Sequence, residues 1–126
     1  MAESSATLAF AVELFSGMGL VTARRMFGGA GFYARGVMFG LIDDDVIYLK
    51  VDETLKAELA AIGSRPWTYT QAKGPKAGVA QETSYWSLPD TALDDPDEAC
   101  GWGQRSLAAA EALKAAKPAR KRPERT

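Results

Sequence analysis

Apolar positions change their spacing several times along the chain, and each change marks an element. Leu8, Ala11, Val12 and Phe15 recur at the 3.6-residue helical period. They predict a helix over residues 7–16, widened by Phe10 and Leu14, capped by Ser4 or Ser5, and ended by Gly17 and Gly19. Residues 22–51 read instead as strands. Arg24 to Gly28 is short and β-compatible, and Ala30 to Ala34 follows. Arg35-Gly36 suits a two-residue hairpin turn. Val37 to Ile42 is almost wholly apolar, Asp43-Asp44-Asp45 is a polar turn, and Val46 to Val51 alternates. Ile47, Leu49 and Val51 then share one face, and Val46, Tyr48 and Lys50 the other. Turns this short join antiparallel neighbours, so a meander is predicted.

Helical spacing returns over residues 52–62 through Leu55, Leu59 and Ile62, with Asp52 as N-cap and Gly63 as C-cap residue. Pro66 to Thr70 alternates, with Trp67 and Tyr69 on one face. Residues 72–82 carry turn formers and read as a loop. Thr83 to Leu88 is a strand with Trp86 and Leu88 on one face and Tyr85 on the other. Asp90 to Leu93 suits a helical turn. Asp95-Pro96-Asp97-Glu98 then opens a helix to about Ala116, with Asp95 as cap, Pro96 at its first position and Glu98 in the capping-box position. This order predicts a two-layer α+β fold: an antiparallel sheet of about six strands with helices at the N-terminus, middle and C-terminus. Helices cover one sheet face. The other carries Tyr, Trp and Lys, and is expected to meet a partner or a second subunit.

Charge divides the 126 residues unevenly. Residues 1–113 hold 9 Lys/Arg and 15 Asp/Glu, a net of −6, whereas 114–126 hold 6 Lys/Arg and 1 Glu, a net of +5. The expected organisation is an α+β domain over 1–113 and a basic, disordered tail over 114–126. The tail cations Lys114, Lys117, Arg120, Lys121, Arg122 and Arg125 are candidates for contact with nucleic-acid phosphates. The acidic body argues against a large DNA-binding face on the folded part.

Catalytic chemistry is poorly provided for. Histidine is absent, which removes the commonest general base and metal ligand. The single cysteine, Cys100, excludes an internal disulfide and sits beside Asp97 and Glu98, which disfavour a thiolate. Asp43-Asp44-Asp45 lacks the spaced oxygens, glycine and terminal Glu of a calcium loop. Gly29-Ala30-Gly31-Phe32-Tyr33-Ala34 fits the dinucleotide pattern formally, but no helix is predicted after it. Its glycines are expected to permit a bulge or a tight turn. Arg24-Arg25 suits phosphate binding or pairing with acids such as Asp43 to Asp45, and the pairing is expected. No catalytic, cofactor or metal residues are assigned. No apolar run reaches membrane-spanning length, and the N-terminus lacks the basic region of a secretory signal, so a cytoplasmic protein is expected.

Several stretches together carry a family resemblance. They are Arg24-Arg25-Met26-Phe27-Gly28-Gly29-Ala30-Gly31-Phe32-Tyr33, Gly36-Val37-Met38-Phe39-Gly40-Leu41 and Ile47-Tyr48-Leu49-Lys50-Val51-Asp52. Pro66-Trp67-Thr68-Tyr69, Ser84-Tyr85-Trp86-Ser87-Leu88-Pro89 and the helix with Trp102 complete the set. Over about residues 10–110 the chain resembles the TfoX N-terminal-domain family. The resemblance implies a secretion-chaperone-like α+β fold. It also implies a link to the TfoX/Sxy regulators of natural competence, which act with a cyclic-AMP receptor transcription factor at competence promoters. Those regulators carry a second, helical domain, and these residues correspond to the first domain only. The family brings no established catalytic residues.

The expectation is thus a non-enzymatic regulatory or protein-interaction domain, without cofactor. Its partner would be a transcription factor of the cyclic-AMP receptor type, with a homodimer and tail-assisted DNA contact as further expectations. The expected interaction surface comprises Arg24, Arg25, Tyr48, Lys50, Tyr85 and Trp86. The alternative is a small-molecule-binding or cryptic enzymatic domain, with a deep pocket ringed by Arg24, Arg25, Tyr48 or Trp86. A third reading is a dimeric scaffold with no ligand of its own.

Overall fold

The computed structural model describes residues 5–26, 29–70, 74–75 and 77–121, with only the backbone described for Ser5, 69–70, 80–82 and 116–121. Helix α1 spans Ser5–Leu14 and is followed by a single 3-10 turn, Ser16–Met18. Strands β1 (Thr22–Met26), β2 (Gly29–Ala34), β3 (Val37–Asp43) and β4 (Val46–Lys50) form the predicted meander. Helix α2 (Glu53–Ala61) follows, then β5 (Pro66–Thr70) and β6 (Ala80–Ser87). A 3-10 turn at Asp90–Asp94 leads into α3, Pro96–Lys121. The sheet is antiparallel in the order β1-β2-β3-β4-β6-β5. The fold is the two-layer α+β arrangement expected from the sequence.

Local chemistry explains the turns. The β2–β3 and β3–β4 hairpins close through two left-handed residues each, Arg35-Gly36 and Asp44-Asp45, the geometry that matches strand twist. Asp52 caps α2 by accepting the Leu55 amide at 2.8 Å. Gly63, with φ of 96°, ends it: its N–H reaches the Ala60 carbonyl, and the Ser64 N–H reaches the Leu59 carbonyl, the pair of bonds of a Schellman cap.

The core lies between the sheet and the α1/α3 layer. Phe15, Phe32, Phe39 and Leu49 are fully enclosed there with Ala11, Leu14, Ile42, Ile47 and Leu107. Phe15 meets Phe39 edge-on at a centroid distance of 5.4 Å. A second cluster, Val51, Leu55, Leu59 and Trp86, sits under α2 and shares Trp102 with the first. Phe10 departs from the predicted stripe and is half exposed. At 100° per residue it falls on the opposite side of Ala11 from Val12, outside the arc that Leu14, Phe15, Leu8 and Val12 define.

Helix α1 runs Ser5–Leu14 in place of 7–16, β1 runs Thr22–Met26 in place of 24–28, and three further features differ from the prediction. Strand β6 starts at Ala80, because Thr70↔Ala80, Tyr69↔Gln81 and Thr68↔Glu82 pair across residues read as loop. Helix α3 continues to Lys121, so the backbone of 114–121 is part of it. Its alanine-rich run has high helix propensity and supplies no stop before Pro118. Glu98 does not complete a capping box. Asp95 caps the Glu98 amide, but the Glu98 carboxylate accepts from Thr91 Oγ1 at 2.9 Å and Trp102 Nε1 at 3.1 Å. Tying the 3-10 turn to the Trp102 indole replaces the local reciprocal bond.

Candidate functional site

Alternation along the strands decides which side chains reach the sheet face that α1 and α3 leave open. Tyr48 and Lys50 point there from β4, since Ile47 and Leu49 point into the core. Register carries the assignment sideways. Lys50 pairs with Tyr85, and Tyr48 pairs with Leu41 and with Ser87. Gly31 pairs with both Leu41 and Arg24, which places Arg24 on the same face, and Tyr33 follows from its pairing with Met38.

These residues form a connected surface. The Trp67 ring lies 6.4 Å from Tyr48 and 6.4 Å from Tyr85, meeting the latter edge-on. Its indole N–H donates to Asp43 Oδ2 at 3.0 Å. Lys50 Nζ sits 5.0 Å from the Tyr85 ring centroid and donates to Ser84 Oγ at 2.7 Å. The Arg24 guanidinium lies 5.6 Å from the Tyr33 ring centroid. Cations on ring faces and rings packed edge-to-face hold the patch in one shape. Burial, and then the carboxylate of Asp43, push the Tyr48 phenol above its ordinary range. Burial, and then Tyr33, do the same to Tyr85. Both phenols therefore stay neutral through physiological pH and present hydrogen-bonding O–H groups.

Two residues expected on this surface lie elsewhere. Arg25 follows Arg24 on a strand and pairs with the core residue Ala30, so it projects on the helix side. Trp86 is buried under α2 and packed with Val51, Leu55 and Leu59. Lys56 Nζ lies 5.7 Å from its ring centroid, and its indole N–H has no hydrogen-bond partner among the described residues. Arg24 stacks on Tyr33, and Asp43, one of the acids proposed to pair with it, takes the Trp67 indole. Arg25 and Trp86 thus lie on the helix side of the sheet, and Arg24 and Tyr48 on the open face. The hollow beside Trp67, lined also by Met26, Leu41 and Asp43, has a volume of about 30 Å³. Trp67 and Tyr33 are the surface residues that sequence reasoning missed. The alternation of Trp67 was visible, but its phase relative to β4 was not.

The glycine pattern at 29–31 lies within β2 and leads into a hairpin, so no helix N-terminus stands behind it. Gly29 serves close strand approach, since a Cβ on it would overlap the Ile42 carbonyl oxygen, whereas Gly31 faces the Met26 and Met38 side chains. The bulge is at Phe32/Tyr33, one strand position further on. Among the tail cations, Lys114 is exposed on α3. Side chains of Lys117, Arg120 and Lys121, and all of Arg122 and Arg125, lie outside the described residues. No group of three or more His, Cys, Asp or Glu among the described residues is placed to hold a metal ion. No described helix is long and apolar enough to cross a membrane.

The chain is an α+β domain, an antiparallel sheet with helices over one face and an aromatic, basic cluster on the other. The family model for the TfoX N-terminal domain matches residues 13–110, and the chain belongs to that family. A comparison with curated proteins gives no match.

Proposed function

We propose that this chain is a non-enzymatic regulatory domain of the TfoX type that holds a protein partner against the open face of its sheet. The partner favoured by family membership is a transcription activator of the cyclic-AMP receptor type, in the control of competence genes. The observation that carries this reading is the Tyr48–Trp67–Tyr85 cluster flanked by Lys50 and Arg24. Protein-binding surfaces concentrate Tyr, Trp and Arg because large rigid side chains bury area at low entropic cost. The raised phenol pKa values suit hydrogen bonding more than proton transfer near neutrality.

Co-purification from native cells tests the reading directly. The protein should bring down an activator of the stated type, and Trp67→Ala should weaken that complex by about 2 kcal/mol, roughly thirtyfold, as removal of a central anchor does. Binding equal to wild type by a folded Trp67→Ala variant would remove the open face from the function.

Tail-assisted DNA contact makes a separate prediction. Truncation after Leu113 removes a net charge of +5. It should flatten the plot of log affinity against log salt by about 0.9 for each phosphate that the tail neutralises. An unchanged slope would eliminate the tail from DNA binding.

A further inference from the structure

Among the described strands the sheet ends in two edge strands, β1 and β5, and they differ in chemistry. Strand β5 begins with Pro66, which has no N–H to offer a neighbouring strand. Strand β1 is Thr-Ala-Arg-Arg-Met, has no proline, and pairs with β2 alone among the described strands. Thr22, Arg24 and Arg25 on it are exposed. An antiparallel ladder uses the inward N–H and C=O groups of alternate residues, so the intervening residues direct theirs outward. We propose that the outer edge of β1 takes an extended acidic peptide as an added strand.

Charge selects the occupant. Arg24 and Arg25 lean from the same edge to opposite faces of the sheet. Successive residues of an added strand also alternate, so two adjacent acidic residues would place one carboxylate beside each guanidinium. A second copy of this chain is rejected by the same residues. Antiparallel pairing of two β1 strands centred on the arginines would set two guanidinium groups near each other on each face of the sheet. Backbone bonds would supply affinity, and the acid pair would set the register.

This site shares Arg24 with the open-face patch but does not use Trp67, so a Trp67 variant tells the two apart. The probe is a fluorescent peptide, Thr-Val-Glu-Glu-Val-Thr, titrated with the full chain by anisotropy. Two N-methylated versions carry the methyl groups on one or the other alternate set of amides. The expected result is that one version binds about tenfold more weakly or worse, while the other binds like the parent, because only one set of amides faces β1. A Lys-Lys peptide should fail on the wild-type chain and bind the double variant Arg24→Glu, Arg25→Glu. Trp67→Ala should leave the acidic peptide's affinity unchanged. Equal binding by both methylated versions would show charge attraction without strand pairing and overturn the proposal. So would loss of peptide binding in Trp67→Ala, or absence of binding by the parent peptide at millimolar concentration.

Discussion

Replacing Gly29 by alanine is expected to lower the stability of the fold by about 3 kcal/mol or more, at the upper end of what overpacking costs. Gly29 opens β2 between Met26 on β1 and the carbonyl of Ile42 on β3. An added methyl would overlap that carbonyl oxygen and come within 3.3 Å of its carbon and 3.5 Å of Asp43 Cα. All three atoms are backbone, so relief requires the strands to part. Gly31, two residues along the same strand, supplies the control. Its methyl would meet Met26 Cε and Met38 Sδ, each at 3.0 Å. Both belong to flexible thioether side chains that repack easily, so Gly31→Ala should cost under about 1 kcal/mol. Urea unfolding followed by fluorescence of the core tryptophans measures both. Equal losses would show that close strand approach at Gly29 is not what requires glycine.

The contrast shows how much the local pattern carries. Apolar patterning and turn residues located the meander, but β1 runs from Thr22 to Met26 where Arg24 to Gly28 was expected, and a bulge between Phe32 and Tyr33 shifts the β2–β3 register. Gly63 and Asp52 were legible as caps because their bonds lie within four residues. Glu98 was not, since its partners Thr91 and Trp102 lie outside the reciprocal motif and compete successfully for the carboxylate. The glycines at 29 and 31 were legible as exceptional, but only the position of β3 shows which one is sterically required.

The candidate surface was partly legible for the same reason. Tyr48 and Lys50 followed from alternation against Ile47 and Leu49. Alternation also assigns Trp86 to the face of Leu88, and Arg24 and Arg25 to opposite sides, so grouping them by chemistry overrode the stronger geometric rule. Trp67 is different. A bulge between Pro66 and Thr68 resets its phase, and its partner strand β6 returns only at residue 80. Where register is set by a distant pairing, sequence spacing holds no information about which face a residue joins.

A bulge also creates the position where the largest effect of a single buried hydroxyl is expected. In the β2–β3 ladder Phe32 faces Gly40 and Tyr33 faces Met38, leaving Phe39 as the extra residue. The β3–β4 ladder stops beside it, at Gly40↔Leu49, so Phe39 and Lys50 do not continue the pairing. Ser106 of α3 fills the gap. Fully buried, its hydroxyl lies 2.7 Å from the Phe39 carbonyl and 2.6 Å from the Lys50 carbonyl. One proton shared between two backbone acceptors holds the helix layer against the sheet where the strands separate. Ser106→Ala leaves both carbonyls without that donor beside a fully buried helix position, at a cost of about 2–3 kcal/mol. Alanine's better helix propensity returns only about 0.5 kcal/mol. Ser106→Thr keeps the hydroxyl and separates loss of the bond from change of volume, its methyl adding a packing cost of its own. A Ser106→Ala protein within about 0.5 kcal/mol of wild type in urea unfolding would mean that the two carbonyls are satisfied without the serine. The expected result ties the bulge, the break in the ladder and the seat of α3 to one side chain.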